Sequence, residues 1–293
     1  GQGAAQRPRW RELDGIVLLD KPAGLGSTPA LQRVRRLLCA AKAGHAGTLD
    51  PMATGMLPLC FGQATKACGQ LLGSSKAYRA RLVLGAATDT GDADGSVVRT
   101  SPVPPVDHSR LLAVLAALTG DVLQTPPMYS ALKRDGRPLY ELARRGEEVE
   151  RLPRRVHIGR LEARYWTDAT IEFEVECSKG TYVRVLGEQI AAALGTDGHL
   201  DALRRLWVEP FAPEALVTLE TVGAWVARDP ADDERPEWLL PVDAAFPGLP
   251  RLDLDRVASL YLRQGRTLPL ELPPSVALGR VYDPAGRFLG LVE

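Results

Sequence analysis

The side chains with the most chemistry to offer lie in one short run, Ala43-Gly44-His45-Ala46-Gly47-Thr48-Leu49-Asp50-Pro51-Met52-Ala53-Thr54-Gly55. It brings an imidazole, a hydroxyl and a carboxylate close together at His45, Thr48 and Asp50. A carboxylate held on a loop can serve as a nucleophile or as a proton acceptor. Three glycines and a proline in so short a run exclude a regular helix or strand through its middle. The ring of Pro51 clashes with an α-helical residue before it, so Asp50 is expected in extended backbone. The same composition also fits a plain surface turn in which Asp50 bonds its own backbone.

Elements on either side must position this loop. Gly15 to Gly24 reads as a short apolar strand running into a Pro/Gly turn, with Lys21 at its end. Ser27-Thr28-Pro29 starts a helix, with Thr28 as N-cap, Pro29 at its first position and Ala30, Val34, Leu37 and Leu38 as its apolar stripe. Arg33, Arg35 and Arg36 face away from that stripe, either as a solvated basic face or as an RNA contact. Beyond the loop, Met56 to Gly62 reads as a buried strand, and Ala64-Thr65-Lys66 opens a helix. In Lys76 to Gly85, Tyr78, Ala80, Leu82 and Leu84 alternate with Arg79, Arg81 and Val83, the period of a strand with one apolar face. On that pattern alone Tyr78 is a core aromatic.

Thr88 to Gly95 has the acidic look of a calcium loop, but Ser101 stands where an EF-hand needs glutamate, so it reads as an acidic hairpin turn. Pro102 to Pro105 forms a linker before a helix capped by Asp107 or Ser109, which runs through Leu111, Leu112, Leu115 and Leu118 to Gly120. Ala169 to Cys177 alternates as a half-buried strand. It feeds Ser178-Lys179-Gly180-Thr181-Tyr182-Val183-Arg184 and a helix with Leu186, Ile190, Ala193 and Leu194 inward, closed by Gly195. Arg184 would then be a surface cation on the first helical turn, slightly against the helix dipole. Lys133, Arg134, Arg137, Arg144, Arg145, Arg151, Arg154 and Arg155 form the densest cationic cluster of the chain, interleaved with Glu141, Glu147, Glu148 and Glu150.

The run Gly44 to Pro51, continuing to Ala53-Thr54-Gly55 and then Ala64-Thr65-Lys66, resembles the catalytic motif of the TruB family of tRNA pseudouridine synthases. Asp20-Lys21-Pro22, Lys179-Gly180-Thr181-Tyr182-Val183-Arg184 and Ala202-Leu203-Arg204-Arg205-Leu206 resemble further motifs of that family, while Gly26-Ser27-Thr28-Pro29 departs from its usual helix entry. The likeness is close from residue 15 to about 220 and looser beyond. It implies isomerisation of uridine to pseudouridine in the T-loop of tRNA, at the position numbered 55 in family members, after the base has been flipped out of the loop. Asp50 would be the catalytic carboxylate, and attack on sugar, attack on base and removal of a sugar proton all stay open for it. Arg184 would pair with Asp50 and keep it ionised. Tyr78 would stack on the base and take part in proton transfer, Tyr182 would touch the base, and Leu203 would line its pocket. His45 would help hold the flipped RNA, and Lys21 and Lys66 are assigned to substrate binding on the same ground.

The cationic stretch between residues 124 and 155 resembles the family's insertion, which closes over RNA, and speaks for a stand-alone enzyme rather than a guide-RNA-dependent one. The resemblance also implies an α+β fold with a mixed, largely antiparallel sheet. The expected division is a catalytic domain over 1–240 and a small β-rich RNA-binding module, PUA-like, over 241–293. Residues 228–238, acidic and proline-bearing, read as a linker before that module.

Composition has to permit such an enzyme. The 293 residues suffice for a large domain plus a small one, with 45% hydrophobic and 25% charged residues as in an ordinary soluble globular protein. No uninterrupted apolar run is long enough to cross a bilayer, and the first eight residues lack the apolar core of a signal peptide. Cys39, Cys60, Cys68 and Cys177 show no C-x-x-C pairing, which favours reduced thiols over disulfides or zinc. The formal net charge is +0, so a tRNA site has to arise by local segregation of charge. The expectation is a cytoplasmic monomer that binds the T-arm of tRNA with no cofactor, metal or protein partner, since breaking and remaking a base–sugar bond is redox-neutral.

Overall fold

The computed structural model describes residues 9–130, 132–267 and 278–293. The chain begins with β1 (Gly15–Lys21), α1 (Ser27–Leu38), β2 (Ala43–His45) and β3 (Thr54–Phe61). A 3-10 turn (Gly62–Ala67) leads to α2 (Cys68–Leu72), β4 (Lys76–Leu84) and the hairpin of β5 (Ala86–Thr88) and β6 (Val97–Thr100). After α3 (His108–Ala117) and β7 (Gly120–Gln124) come the small hairpin β8 (Lys133–Arg134) and β9 (Arg137–Pro138), then α4 (Leu139–Arg144). The long strands β10 (Arg154–Trp166) and β11 (Thr170–Cys177) lead to α5 (Val183–Ala193), β12 (Gly198–Val208), α6 (Leu219–Ala227) and β13 (Leu239–Leu240). A short tail holds β14 (Arg251–Asp253), α7 (Arg256–Arg263), β15 (Gly279–Tyr282) and β16 (Phe288–Val292).

The main sheet has the order β13-β1-β3-β12-β4-β11-β10-β7, with β2 paired to β3. Every pairing is antiparallel except β3 with β12. The α+β class and the largely antiparallel sheet expected from the sequence are therefore present, and β14, β15 and β16 form a separate small sheet. Alternation along β1 shows how the core is divided, because successive side chains leave a strand on opposite faces. Val17 and Leu19 enter a large cluster with Leu31 and Val34 of α1, while Ile16 and Leu18 enter a second one with Leu71, Phe211 and Phe246. Each such side chain, fully buried, contributes about 1.5–3 kcal/mol. At the β4–β11–β10 end one face stays wet, and there Glu174 pairs with Arg79, Arg160 and Arg164.

Several local expectations shift. Thr28 is not the N-cap of α1: Gly26 occupies that position, and Ser27, not Thr28, turns inward to the loop that carries Asp50. Leu37 of that helix is only half-buried, and Leu31 takes its place in the stripe. Ala64-Thr65-Lys66 lies in the 3-10 turn, with the α-helix proper starting at Cys68. α3 is capped by Asp107 and stops at Ala117, leaving Leu112 exposed. On α5 the inward residue is Ala191, and Ala193 is exposed. Residues 228–238 connect the helix α6 to β13, which is itself an edge strand of the main sheet.

Candidate active site

The Asp50 loop is held from three sides. Ser27 Oγ accepts from Leu49 N at 2.7 Å and donates to Leu49 O at 2.9 Å. Lys21, fully buried, donates its ammonium to the carbonyls of Pro22, Leu25 and Pro51. From β12, Arg205 donates to Gly47 O at 3.0 Å and to Met56 O at 2.8 Å. The loop closes on itself where Ala53 N donates to Asp50 O at 2.9 Å. Glycine is obligatory where it meets β3, since Gly55 has φ +103° and a Cβ there would lie 2.1 Å from the Arg205 carbonyl oxygen. This close approach belongs to the parallel pairing of β3 with β12, in which Arg204 lies beside Thr54 and Arg205 beside Gly55.

Asp50 thus stands at the mouth of a cavity of about 320 Å³ lined by Tyr78, Tyr182, Arg184, Leu203, Lys76 and Arg205. Arg184 Nε lies 3.1 Å from Asp50 Oδ2. The rest of its guanidinium donates to Thr90 O and Tyr129 O, each at 2.7 Å. Arg184 is therefore a buried, fully engaged group and not the surface cation that its helical position suggested. Tyr182, the N-cap residue of α5, is fixed through its backbone: Gln124 Oε1 accepts from Tyr182 N at 2.9 Å, and Gln124 Nε2 donates to Tyr182 O at 3.2 Å. The acidic hairpin reaches Arg184 through the Thr90 carbonyl, and the insertion reaches the site through the Tyr129 carbonyl and through Ser130, which lines the cavity.

Electrostatics corrects one expectation. Burial raises the Asp50 carboxyl above its ordinary value, and the nearby Asp92 and Asp94 add to that, while Arg184 and Lys21 oppose it. Arg184 therefore limits the rise and does not depress the carboxyl outright. Lys21 is pushed down to about 8, chiefly by burial and then by Arg205, with Asp50 pulling the other way. Lys76 is likewise pushed down to about 8 by burial and by Arg205. Burial raises the Tyr78 hydroxyl, and the Arg205 guanidinium counters it.

Of the residues singled out by sequence, Asp50, Tyr78, Tyr182, Arg184 and Leu203 converge on the cavity. Three do not. Lys21 has its ammonium enclosed by backbone carbonyls, so it supports the loop and cannot touch a substrate. Lys66 is exposed on the 3-10 turn, outside the cavity lining. His45 turns its ring toward α1, with Nε2 3.4 Å from Thr28 Oγ1, and burial lowers its pKa. Its Nδ1 is buried with no hydrogen-bond partner among the described residues.

Sequence reasoning missed Arg205, Lys76 and Gln124. A signal for Arg205 did exist: two consecutive arginines on a strand must point to opposite faces. Arg204 pairs with Asp20 on one face, and Arg205 is left on the buried one. The larger cleft of about 760 Å³ lies behind Arg184, between the acidic hairpin and the insertion, and does not include Asp50. On the insertion, no ion pair among the described residues joins its arginines to Glu141, Glu147, Glu148 or Glu150. Arg144 and Arg145 are exposed, Arg144 stacking on Tyr140.

Residues 35–183 match the family model described as TruB family pseudouridylate synthase, N-terminal domain. Residues 184–247 match that of the tRNA pseudouridylate synthase B C-terminal domain. The chain belongs to the TruB family. Asp50, Tyr78 and Tyr182 fall in the first match, and Arg184 opens the second. Similar curated proteins include tRNA pseudouridine synthase B of Aromatoleum aromaticum, 50% identical over 98% of this chain and 91% of that protein. The enzyme of the same name from Hydrogenovibrio crunogenus is 45% identical over 98% of this chain and 91% of its own length. Among solved structures, a Cbf5-Nop10-Gar1 complex superposes with a TM-score of 0.72 at 24% identity, covering 99% of this chain and 84% of that one. An H/ACA RNP bound to a substrate RNA gives 0.70 at 22% identity, covering 99% of this chain and 84% of that chain. These two likenesses speak for the TruB-type fold.

Proposed function

We propose that this TruB-family protein converts uridine to pseudouridine at the position numbered 55, in the T-loop of tRNA, with Asp50 as the catalytic carboxylate. The observation that carries the reading is the Asp50–Arg184 pair at the mouth of a cavity walled by Tyr78, Tyr182 and Leu203. A planar base flipped into that cavity meets two aromatic rings, and stacking on such a ring is worth roughly 1–3 kcal/mol. Together with edge contacts this offsets the few kcal/mol that flipping costs. Its sugar then lies beside Asp50, where one carboxylate oxygen is held by Arg184 and the other is free to react.

The names of the curated relatives supply tRNA as the substrate class. Exposed arginines at 144, 145, 154 and 155 supply cations for its phosphates. The reading also includes the module expected over 241–293, with β14–β16 as a small RNA-binding unit of PUA type on a catalytic domain over 1–240. The protein is expected to act as a monomer in the cytoplasm.

The test is incubation with unmodified tRNA transcript followed by pseudouridine mapping. Parent protein should modify a single T-loop uridine. Asp50→Asn should make no product while binding tRNA within several-fold of the parent. Substantial turnover by a clean Asp50→Asn preparation would remove Asp50 from the chemistry, and modification outside the T-loop would overturn the position.

A further inference from the structure

Arg205 is among the largest fully buried side chains in the protein, at 1% exposure. Its Nε and Nη2 are committed to Met56 O and Gly47 O. Nη1 donates to no backbone carbonyl among the described residues; on this side the guanidinium faces the Tyr78 hydroxyl, and both side chains line the Asp50 cavity. Arg205 and Tyr78 are also cross-strand partners on β12 and β4, so guanidinium and ring lie side by side.

No carboxylate pairs with Arg205 among the described residues. Among the described residues, the one carboxylate lining the cavity, Asp50, is taken by Arg184 at its mouth. Removing an ion from water costs several kcal/mol even after relaxation, unless a counter-charge is close. Here the surroundings add more positive charge, because Lys76 lines the same floor with its ammonium on the carbonyls of Leu72 and Ser74. Two backbone ties to the loop would not require a group this costly. A cavity whose floor is positive and whose reactive carboxylate sits at the entrance is built to receive negative charge deep inside.

The reaction proposed above generates such charge, and the present inference rests on that reading. When the bond between sugar C1′ and uracil N1 breaks, its electron pair stays on N1 and spreads to O2 and O4. Where Asp50 acts on the sugar, by attack at C1′ or by removing a sugar proton, the detached base is an anion. A pair from C5 then forms the new bond to C1′, the C5 proton leaves, and N1 takes up a proton. We infer that Arg205 is a further catalytic residue, whose buried guanidinium, lining the cavity beside the Tyr78 hydroxyl, stabilises the uracil anion between cleavage and re-attachment. Its charge is already oriented by two carbonyls, so no reorganisation is needed when the bond breaks.

The test compares Arg205→Lys with Arg205→Gln in single-turnover conversion of tRNA, with tRNA binding and melting measured alongside. Lysine keeps the charge and cannot reach both carbonyls, whereas glutamine keeps a donor and loses the charge. Losing one preorganised donor at a developing anion costs roughly 100-fold or more, so Arg205→Gln should lose that in the chemical step with tRNA affinity nearly unchanged. Arg205→Lys should stay within about tenfold of the parent on the same scale.

A second substrate covers the case in which either variant folds poorly. In tRNA with 5-fluorouridine at the target, fluorine stabilises the departing anion, so the Arg205→Gln deficit should shrink. That deficit is followed as loss of 5-fluorouridine on nucleoside analysis. The ratio of the two rates in one preparation does not depend on how much of it is folded. Equal losses for lysine and glutamine, or a deficit that the fluorinated base leaves unchanged, would reduce Arg205 to a structural tie. Failure of the parent to make pseudouridine at all would instead sink the underlying reading.

Discussion

The Asp50–Arg184 pair offers the sharpest test of the site's electrostatics. Replace Arg184 by glutamine, and Asp50 loses the cation that opposes its burial. At the observed 3.1 Å, two unit charges interact by about 5 kcal/mol at an effective dielectric of 20, and by about 1 kcal/mol in water. The Asp50 side chain is 38% exposed, so solvent screening pulls the value toward the lower part of that range. A working figure of about 1.5–3 kcal/mol corresponds to one to two pKa units.

The sign follows from which form reacts. In the proposed function the ionised carboxylate is the working form, so activity is expected above its pKa and is lost as pH falls through it. Raising that pKa moves the acid limb of the rate profile to higher pH. Arg184→Gln should therefore shift the acid limb of single-turnover pseudouridine formation upward by about one to two units, with part of the lost rate recovered at alkaline pH. Arg184→Lys retains a cation and should keep the limb near that of the parent, while losing rate uniformly because Thr90 O and Tyr129 O give up a donor. An acid limb that stays put in Arg184→Gln, with a rate depressed equally at all pH values, would refute the electrostatic reasoning. Arg184 would then act through geometry alone.

Two further outcomes are expected. Tyr78→Leu should lower catalytic efficiency by about tenfold or more through loss of the stack, whereas Tyr78→Phe should still bind and flip RNA; a steep fall in melting temperature for the leucine variant, with activity per folded molecule intact, would make Tyr78 a packing residue only. Replacing Arg144, Arg145 and Arg154 by alanine should weaken tRNA binding and lower the slope of log affinity against log salt by about 2–3, because fewer counterions are released; an unchanged slope would leave those arginines as a solvated face.

Much of this protein is written in local sequence. The strand at Tyr78 to Leu84 and the one at Thr170 to Cys177 follow from period-2 alternation, because a half-buried strand must place alternate side chains in the core. The Asp50 loop follows from glycine and proline chemistry, which excludes regular structure whatever the rest of the chain does. The motifs around Asp50, Tyr182 and Leu203 carried the family resemblance, and with it the residues that do meet in one cavity.

Only the tertiary structure decided what each charge does. Lys21 and Arg184 look alike as basic residues near motif turns, yet one is enclosed by carbonyls beneath the loop and the other faces Asp50. The difference comes from which backbone segments fold over them, residues 51 and 25 in one case and residues 90 and 129 in the other. No spacing within a local window encodes that. The direction of the Asp50 pKa is decided the same way, since burial and distant carboxylates exist only once the sheet and the acidic hairpin have closed around the loop. Arg205 is the extreme case: its neighbours at Gly47, Met56 and Tyr78 lie well over a hundred residues away or across a strand pairing. A sequence shows that such a residue is charged, and only the packed sheet shows that the charge is buried against the loop carbonyls at the wall of the cavity.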